Sequence, residues 1–316
     1  MTTVFEVIIA GKNESYASQS ARAVFEEVNR IERLFNRFDP SSEISRIGRL
    51  RPGEPMSIGV ETYECLTLAA RLQGETNGAF DINFRARLHG RPRKSYSSRA
   101  LSAIRQSPLT DAPRKRTPGA AGCCPPNPLG DLILLQTFSG FEATRPPAQG
   151  RKGPPRLDID LGAIGKGYAL DSALGVLKDW GIKNALIHAG TSTAVGIGPG
   201  PGSEAGSPGW PVGVASAWEC RGAPRMIRLR ERALSGSGTE VKGEHINDPR
   251  TGGRARGHLA AWVCHSSAAV SDALSTAFMV MRTEEVAAYC RRHRDVWSLV
   301  ILDEKKCRIF NAKTVA

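Results

Sequence analysis

The chain has 316 residues, 41% hydrophobic and 23% charged, a composition that suits a globular protein with a sizeable core. It holds no apolar run of about 18 residues, which excludes a membrane-spanning helix. The net charge of +12 would suit a nucleic-acid protein, but residues 83–156 alone carry 14 Lys and Arg against three acids, and the remainder is nearly balanced at 29 to 28.

Residues 4–10 (VFEVIIA) form a β-branched run that reads as a strand. Over residues 17–38, Val24, Val28, Ile31, Leu34 and Phe35 recur at helical spacing, which predicts a helix stopped at Asp39-Pro40. Ser41-Ser42-Glu43-Ile44 can start a short helical turn, and residues 60–73 predict a second helix closed by Thr76-Asn77-Gly78. Residues 91–130 hold seven prolines, many Arg and Ser, and few large apolar side chains; such a stretch cannot build a core and reads as a loop or insertion. Residues 132–135 and 141–144 flank Phe138-Ser139-Gly140, a hairpin signal. A strand-like run at 157–161 leads through Gly162-Ala163-Ile164-Gly165-Lys166-Gly167 into a helix from Tyr168 to Trp180, ended by Gly181.

Further on, residues 185–189 predict a buried strand, 196–209 a Gly/Pro loop, 210–217 and 226–229 strands, and 233–239 a Ser/Gly turn. A strand at 260–264, an apolar helix at 268–281, a short helix at 284–292 and a strand at 297–302 complete the chain. Short strands between long helices predict an α+β fold with antiparallel pairing. Seven cysteines without a C-x-x-C pair give no thiolate zinc site. The start Met1-Thr2-Thr3-Val4-Phe5-Glu6 has neither a basic nor a long apolar segment, so free thiols in the cytoplasm are the expectation.

Three motifs carry chemistry. In residues 158–171 glycines reach a helix N-terminus with Lys166 in the first turn. Free N–H groups, the positive helix end and the lysine suit a phosphate, although a glycine turn packing a helix on a sheet would leave the same pattern. The segment is neither a Walker A loop nor G-x-G-x-x-G. In Ser271-Asp272-Ala273-Leu274-Ser275-Thr276, Asp272 and Thr276 share one face of an otherwise apolar helix. A carboxylate facing a core needs compensation. A hard cation with hydroxyl and carbonyl co-ligands would supply it; so would capping or an ion pair, with Thr276 bonding back to the Asp272 carbonyl. In residues 244–252 the half Asp248-Pro249-Arg250-Thr251-Gly252 is a β-turn, and His245 before it is either a base for neutral pH or a structural histidine. The basic segment has only Phe84, Tyr96, Phe138 and Phe141 to stack bases, which argues against a nucleic-acid surface.

In their order along the chain these motifs resemble the ApbE-type FAD:protein FMN transferases. The matching pieces are 157–171 (LDIDLGAIGKGYALD), 233–237 (ALSGS), 245–252 (HINDPRTG) and 271–277 (SDALSTA), with 38–47 (FDPSSEISRI) and 76–81 (TNGAFD) upstream. The resemblance implies one ApbE-like domain over 1–316, a T-fold-like, two-lobed α+β fold around an FAD cleft, with 91–130 as an insertion. It implies Mg²⁺ held by Asp272, Thr276 and the backbone carbonyl of Ala163. It implies FAD contacts from Met1, Thr3, Gly162, Ile164, Gly165, Lys166, Asp171, Ser235, Gly236 and His245, with His245 and Asp248 beside the pyrophosphate.

The implied activity splits the FAD pyrophosphate, attaches FMN through a phosphoester to a Thr or Ser of an acceptor protein, and releases AMP. His245, Asp171 and Asp248 are the implied catalytic residues, with His245 and then Asp171 preferred for taking the hydroxyl proton. With water in place of the hydroxyl the same site would be an FAD pyrophosphatase; without turnover it would be a flavin-binding paralogue. The chain departs from the family pattern at Thr2 (usually Gly), Gly48 (Asn), Gly190-Thr191-Ser192 (Gly-Gly-Asp), Ile82-Asn83 (Pro-Thr) and Ser237 (Tyr).

Overall fold

The computed structural model describes residues 3–85, 132–145, 157–201, 209–214, 220, 222–239 and 246–314. The expectations placed on Met1, His245 and residues 91–130 lie outside the described residues.

Strand β1 (Phe5–Ile9) leads into helix α1 (Glu14–Phe35), whose N-terminus is capped by the Asn13 side chain accepting from Tyr16 N. Ser20, Val24, Val28, Ile31 and Phe35 are its buried stripe, the helical period read in the sequence. Helix α2 (Glu43–Gly48) starts on a Ser42 cap; strand β2 (Pro55–Ile58) and helix α3 (Val60–Glu75) follow. Strands β3 (Ile133–Thr137) and β4 (Gly140–Thr144) form the expected hairpin and pair with β2 in the order β2-β4-β3. Residues 157–160 run extended without joining a sheet; the Asp160 N–H donates to the Ile82 carbonyl at 2.7 Å.

Helix α4 (Gly165–Asp179) precedes strands β5 (Ala185–Ala189) and β6 (Thr193–Ile197), then the small pair β7 (Trp210–Gly213) and β8 (Met226–Leu229). Strand β9 (Arg232–Gly238), strand β10 (Ala260–His265), helix α5 (Ala268–Val280), helix α6 (Thr283–Arg292), strand β11 (Trp297–Asp303) and strand β12 (Lys306–Phe310) complete the fold. The main sheet has seven strands in the order β1-β5-β6-β9-β10-β11-β12, antiparallel at every pairing. The α+β class with antiparallel sheets is therefore as expected.

Three strands escaped the sequence reading, and β9 overturned it. Residues 233–239 read as a Ser/Gly turn, yet β9 lies in the interior of the main sheet. Its small residues answer to close packing on both faces. A Cβ at Gly236 would stand 2.7 Å from Trp262 Nε1 on the neighbouring strand. Ser237 Oγ lies 2.9 Å from Ser275 Oγ of α5 on the other side. Strand β6 went unread, and the loop predicted from Gly196 overlaps its end; a Cβ at Gly196 would meet the Leu229 carbonyl at 2.8 Å. Strands β2 and β12 are short, at four and five residues.

Helix α5 is the centre of the molecule. Every residue of it except Thr276 is buried. It packs on β9 and β10, and its other side meets α3 and α4 in one core with Ile31, Phe35, Leu66 and Ile164. Helix α4 crosses it at Gly167, where a Cβ would lie 2.2 Å from the Ala268 carbonyl oxygen and 2.7 Å from Ala269 Cα. Backbone atoms cannot yield as a flexible side chain can. Gly167→Ala should therefore destabilise the protein by about 1–3 kcal/mol, read as a lower urea midpoint; a change within about 0.5 kcal/mol would contradict this crossing.

Candidate active site at two crossing helix ends

The first turn of α4 leaves N–H groups unpaired, and its N-cap residue Ile164 has no side chain to satisfy them. Asp272 of α5 does so: its Oδ2 accepts from Gly167 N at 3.2 Å. The same carboxylate accepts from Lys166 Nζ at 3.2 Å on Oδ1 and 3.1 Å on Oδ2, and from the Thr193 hydroxyl at 3.4 Å. Lys166 Nζ also donates to the Gly162 carbonyl at 3.2 Å. The Asp272 side chain is only 5% exposed, so this compensation is what a buried carboxylate requires.

A chain of hydroxyls continues from it. Ser235 Oγ donates to Thr193 Oγ1 at 3.2 Å, and Ser237 Oγ lies 3.3 Å from Thr276 Oγ1. Thr276 Oγ1 bonds back to the Asp272 carbonyl at 3.4 Å, as the i, i+4 spacing allowed. Thr276 is also the single point at which α5 is not fully buried. The Gly236 N–H donates to the Ser192 carbonyl at 2.7 Å, which fastens the β5–β6 turn beside this group. Thr3 stands at the same turn, its Cγ2 3.1 Å from where a Gly190 Cβ would sit.

The structure thus brings Gly162, Lys166, Ser235, Asp272 and Thr276 into one polar cluster, with Gly165, Ile164 and Ala163 in the adjoining turn and Thr3 and Gly236 at its edge. Spacing alone left the lysine loop and the Asp272 helix as separate motifs, and only the family resemblance joined them. Sequence reasoning missed Thr193 and Ser237. Reading 233–239 as a strand would have exposed Ser237, because Ser235 and Ser237 at period two share a face.

Asp171 and Asp248 occupy other positions. Asp171 caps α5: its oxygens accept from Ser267 Oγ at 2.7 Å, Ala268 N at 2.7 Å and Ala269 N at 3.0 Å. Burial pushes its carboxyl above the usual carboxylate range, against those three donors and His265, which favour the charged form. It also lines a cavity of about 540 Å³ with Glu64, Tyr168 and Ser267, whose lining does not include Asp272, Lys166 or Thr276. Asp248 accepts from Arg250 Nε at 3.0 Å and from Arg250 N at 2.8 Å, and Arg250 reaches the Val280 carbonyl at 3.1 Å and Glu285 at 3.0 Å. That contact lies at the far end of α5, about 12 Å of helix from Asp272.

No three His, Cys, Asp or Glu side chains among the described residues cluster closely enough to hold a metal ion. A cation at this site would rest on one carboxylate with hydroxyl and carbonyl oxygens, a donor set suited to a hard ion rather than a soft one. Asp272, Thr276 and the 162–163 turn supply those donor types, and the carboxylate already has a cation at hydrogen-bond distance in Lys166. The site's chemistry is therefore that of a cation-charged, hydroxyl-lined helix N-terminus, which suits phosphate oxygens.

The model of the ApbE family matches residues 1–300, and the chain belongs to that family. A Rhodobacter capsulatus FAD:protein FMN transferase is 34% identical over 144 residues, which is 43% of this chain and 26% of that protein. A Klebsiella pneumoniae FAD:protein FMN transferase is 24% identical over 308 residues, covering 92% of this chain and 79% of that one. Among solved structures, the flavin transferase ApbE from Vibrio cholerae superposes with a TM-score of 0.69 at 21% identity, over 100% of this chain and 96% of that one. The ApbE protein of Thermotoga maritima superposes with a TM-score of 0.67 at 23% identity, over 98% and 97%. The fold is the ApbE fold.

The N-terminus of α5 carries a pH-sensitive contact. His265 Nδ1 accepts from Ser267 N at 2.9 Å, so the proton sits on Nε2, which bonds Asp295 at 2.9 Å. Burial holds His265 and His258 below the usual histidine range. A histidine held neutral in the fold costs nothing at high pH, and stability is lost as pH falls below the unfolded value of about 6.5. The urea midpoint should therefore fall between pH 7.5 and 5.5, and fall less in His265→Gln; a midpoint that rises over that interval would contradict the assignment.

Proposed function

We propose that the protein is a Mg²⁺-dependent FAD:protein FMN transferase acting on a Thr or Ser of an acceptor protein. The observation that carries this reading is the buried Asp272 carboxylate, set at the α4 N-terminus beside Lys166 and opening toward solvent at Thr276. Family membership and relatives that carry the transferase name support it. The 162–167 turn and the β9 backbone at Gly236 would receive FAD, with Met1 and Thr3 at the N-terminal edge. Asp272, Thr276 and the Ala163 carbonyl would hold Mg²⁺. When bound, that ion supplies charge neutralisation at the phosphate oxygens.

The acceptor hydroxyl oxygen attacks the FMN-side phosphorus, forming a phosphoester. The pyrophosphate bond to AMP breaks, AMP departs with that oxygen, and the hydroxyl proton goes to a base. His245 fills that role, and the Asp248–Arg250 pair fixes the turn that follows it. Asp171 positions the site by capping the helix that carries Asp272. Lys166 and the α4 N–H groups stabilise the negative charge of the phosphates. No helix among the described residues is long and apolar enough to cross a membrane.

Pure protein incubated with FAD, Mg²⁺ and a Thr-bearing acceptor should release AMP, and Asp272→Ala should lower that rate by at least about 100-fold at unchanged far-UV dichroism. Equal AMP release from Asp272→Ala would overturn the assignment of the site. AMP without covalent flavin would make the protein a pyrophosphatase, and bound FAD without AMP a flavin binder.

A further inference from the structure

Asp272 is already neutralised by a cation of the protein's own. From its setting we infer that Lys166 is an internal competitor for the divalent ion: its ammonium must leave the Asp272 carboxylate for the metal to bind, and it thereby sets the affinity of the site. This rests on the metal-site reading above.

Three oxygens surround Lys166 Nζ: Asp272 Oδ1 at 3.2 Å, Asp272 Oδ2 at 3.1 Å and the Gly162 carbonyl at 3.2 Å. An ammonium has three donors, so its hydrogen-bonding capacity is spent on these contacts. The oxygens are also the type that a hard cation takes, and one comes from the residue preceding Ala163. A divalent ion seated on the same carboxylate would face the ammonium at contact distance, where like charges repel. One of the two has to yield.

The geometry decides which. Asp272 is held from two other directions, by Gly167 N at 3.2 Å and Thr193 Oγ1 at 3.4 Å. Both donors remain when the lysine goes, so the carboxylate keeps its orientation. Its side chain is 5% exposed, against 17% for Lys166, which has a flexible four-carbon stem and a route to water. The lysine therefore swings, and the acid stays. The displaced ammonium remains tethered in the first turn of α4, where anions are favoured. Metal loading would thus add positive charge to the cleft and release a cation able to meet phosphate.

Competition of this kind weakens apparent affinity by the fraction of time the site is free. If Lys166 occupies the carboxylate for about nine-tenths of the time, its removal tightens binding about tenfold.

The test uses the full chain and Mn²⁺ alone, with the free ion followed by electron paramagnetic resonance. Lys166→Met and Lys166→Gln should each bind Mn²⁺ about tenfold more tightly than the wild type. Lys166→Arg, which keeps a cation, should stay near the wild type. Before Mn²⁺ is added, Lys166→Met should unfold at a lower temperature, because the buried acid has lost its partner; Mn²⁺ should raise its melting point more than it raises that of the wild type. Asp272→Asn should abolish binding in every background. Wild-type or weaker affinity in both Lys166→Met and Lys166→Gln, with binding still dependent on Asp272, overturns the competition and leaves the metal site standing. Mn²⁺ binding that survives Asp272→Asn, or no binding by any variant, overturns both.

Discussion

The structure depends on two helix N-termini that cap each other. Helix α4 lends Asp171 to the first N–H groups of α5, and α5 lends Asp272 to the third residue of α4. Neither carboxylate could reach across if the backbones stood at ordinary helix-packing distance. Gly167 removes the Cβ that would hold them apart, since that atom would fall 2.2 Å from the Ala268 carbonyl. Both acids also sit at positive helix ends, so each contact is an electrostatic as well as a hydrogen-bonding one. One of them closes a structural joint. The other holds Lys166, with Thr276 one turn on as the one residue of its helix that is not buried.

The remainder of α5 keeps that joint rigid. Its far end is held by His258, whose Nδ1 lies 2.5 Å from the Phe278 carbonyl, and by Arg250 on the Val280 carbonyl. Between the two ends the helix is buried against β9 and β10, with Ser237 and Ser275 paired across the contact. A reacting group mounted on such an element has little freedom to drift, which is what positioning of a phosphate demands. Burying Ser271, Asp272 and Ser275 in an apolar helix would be costly unless every one found a partner, and each does.

Much of this was legible in the sequence, and what was legible was local. The stripe Val24, Val28, Ile31, Phe35 declared α1, and an acid and a threonine one turn apart in an apolar helix declared the polar face of α5. The glycines of 162–167 declared a helix start. The partners were not legible. Asp171 and Asp248 stand in the matching family segments, but their neighbours in sequence carry no sign of the α5 N–H groups or of the Arg250 side chain folding back. Strand β9 was hidden for the same reason: Ser and Gly are turn residues by local preference, and only the indole of Trp262 and the helix behind them explain their use in a sheet.

In the function proposed above, the Asp272 site moves FMN from FAD to a protein hydroxyl. The most direct test is the intact mass of an acceptor protein after incubation with this enzyme, FAD and Mg²⁺, with AMP counted in the same sample. The acceptor should gain one FMN residue on a Thr or Ser, with one AMP released for each, and neither should occur when Asp272 is replaced by Asn in a protein of unchanged fold. FAD consumed while the acceptor mass stays constant, or FMN gained equally with Asn at position 272, would contradict it.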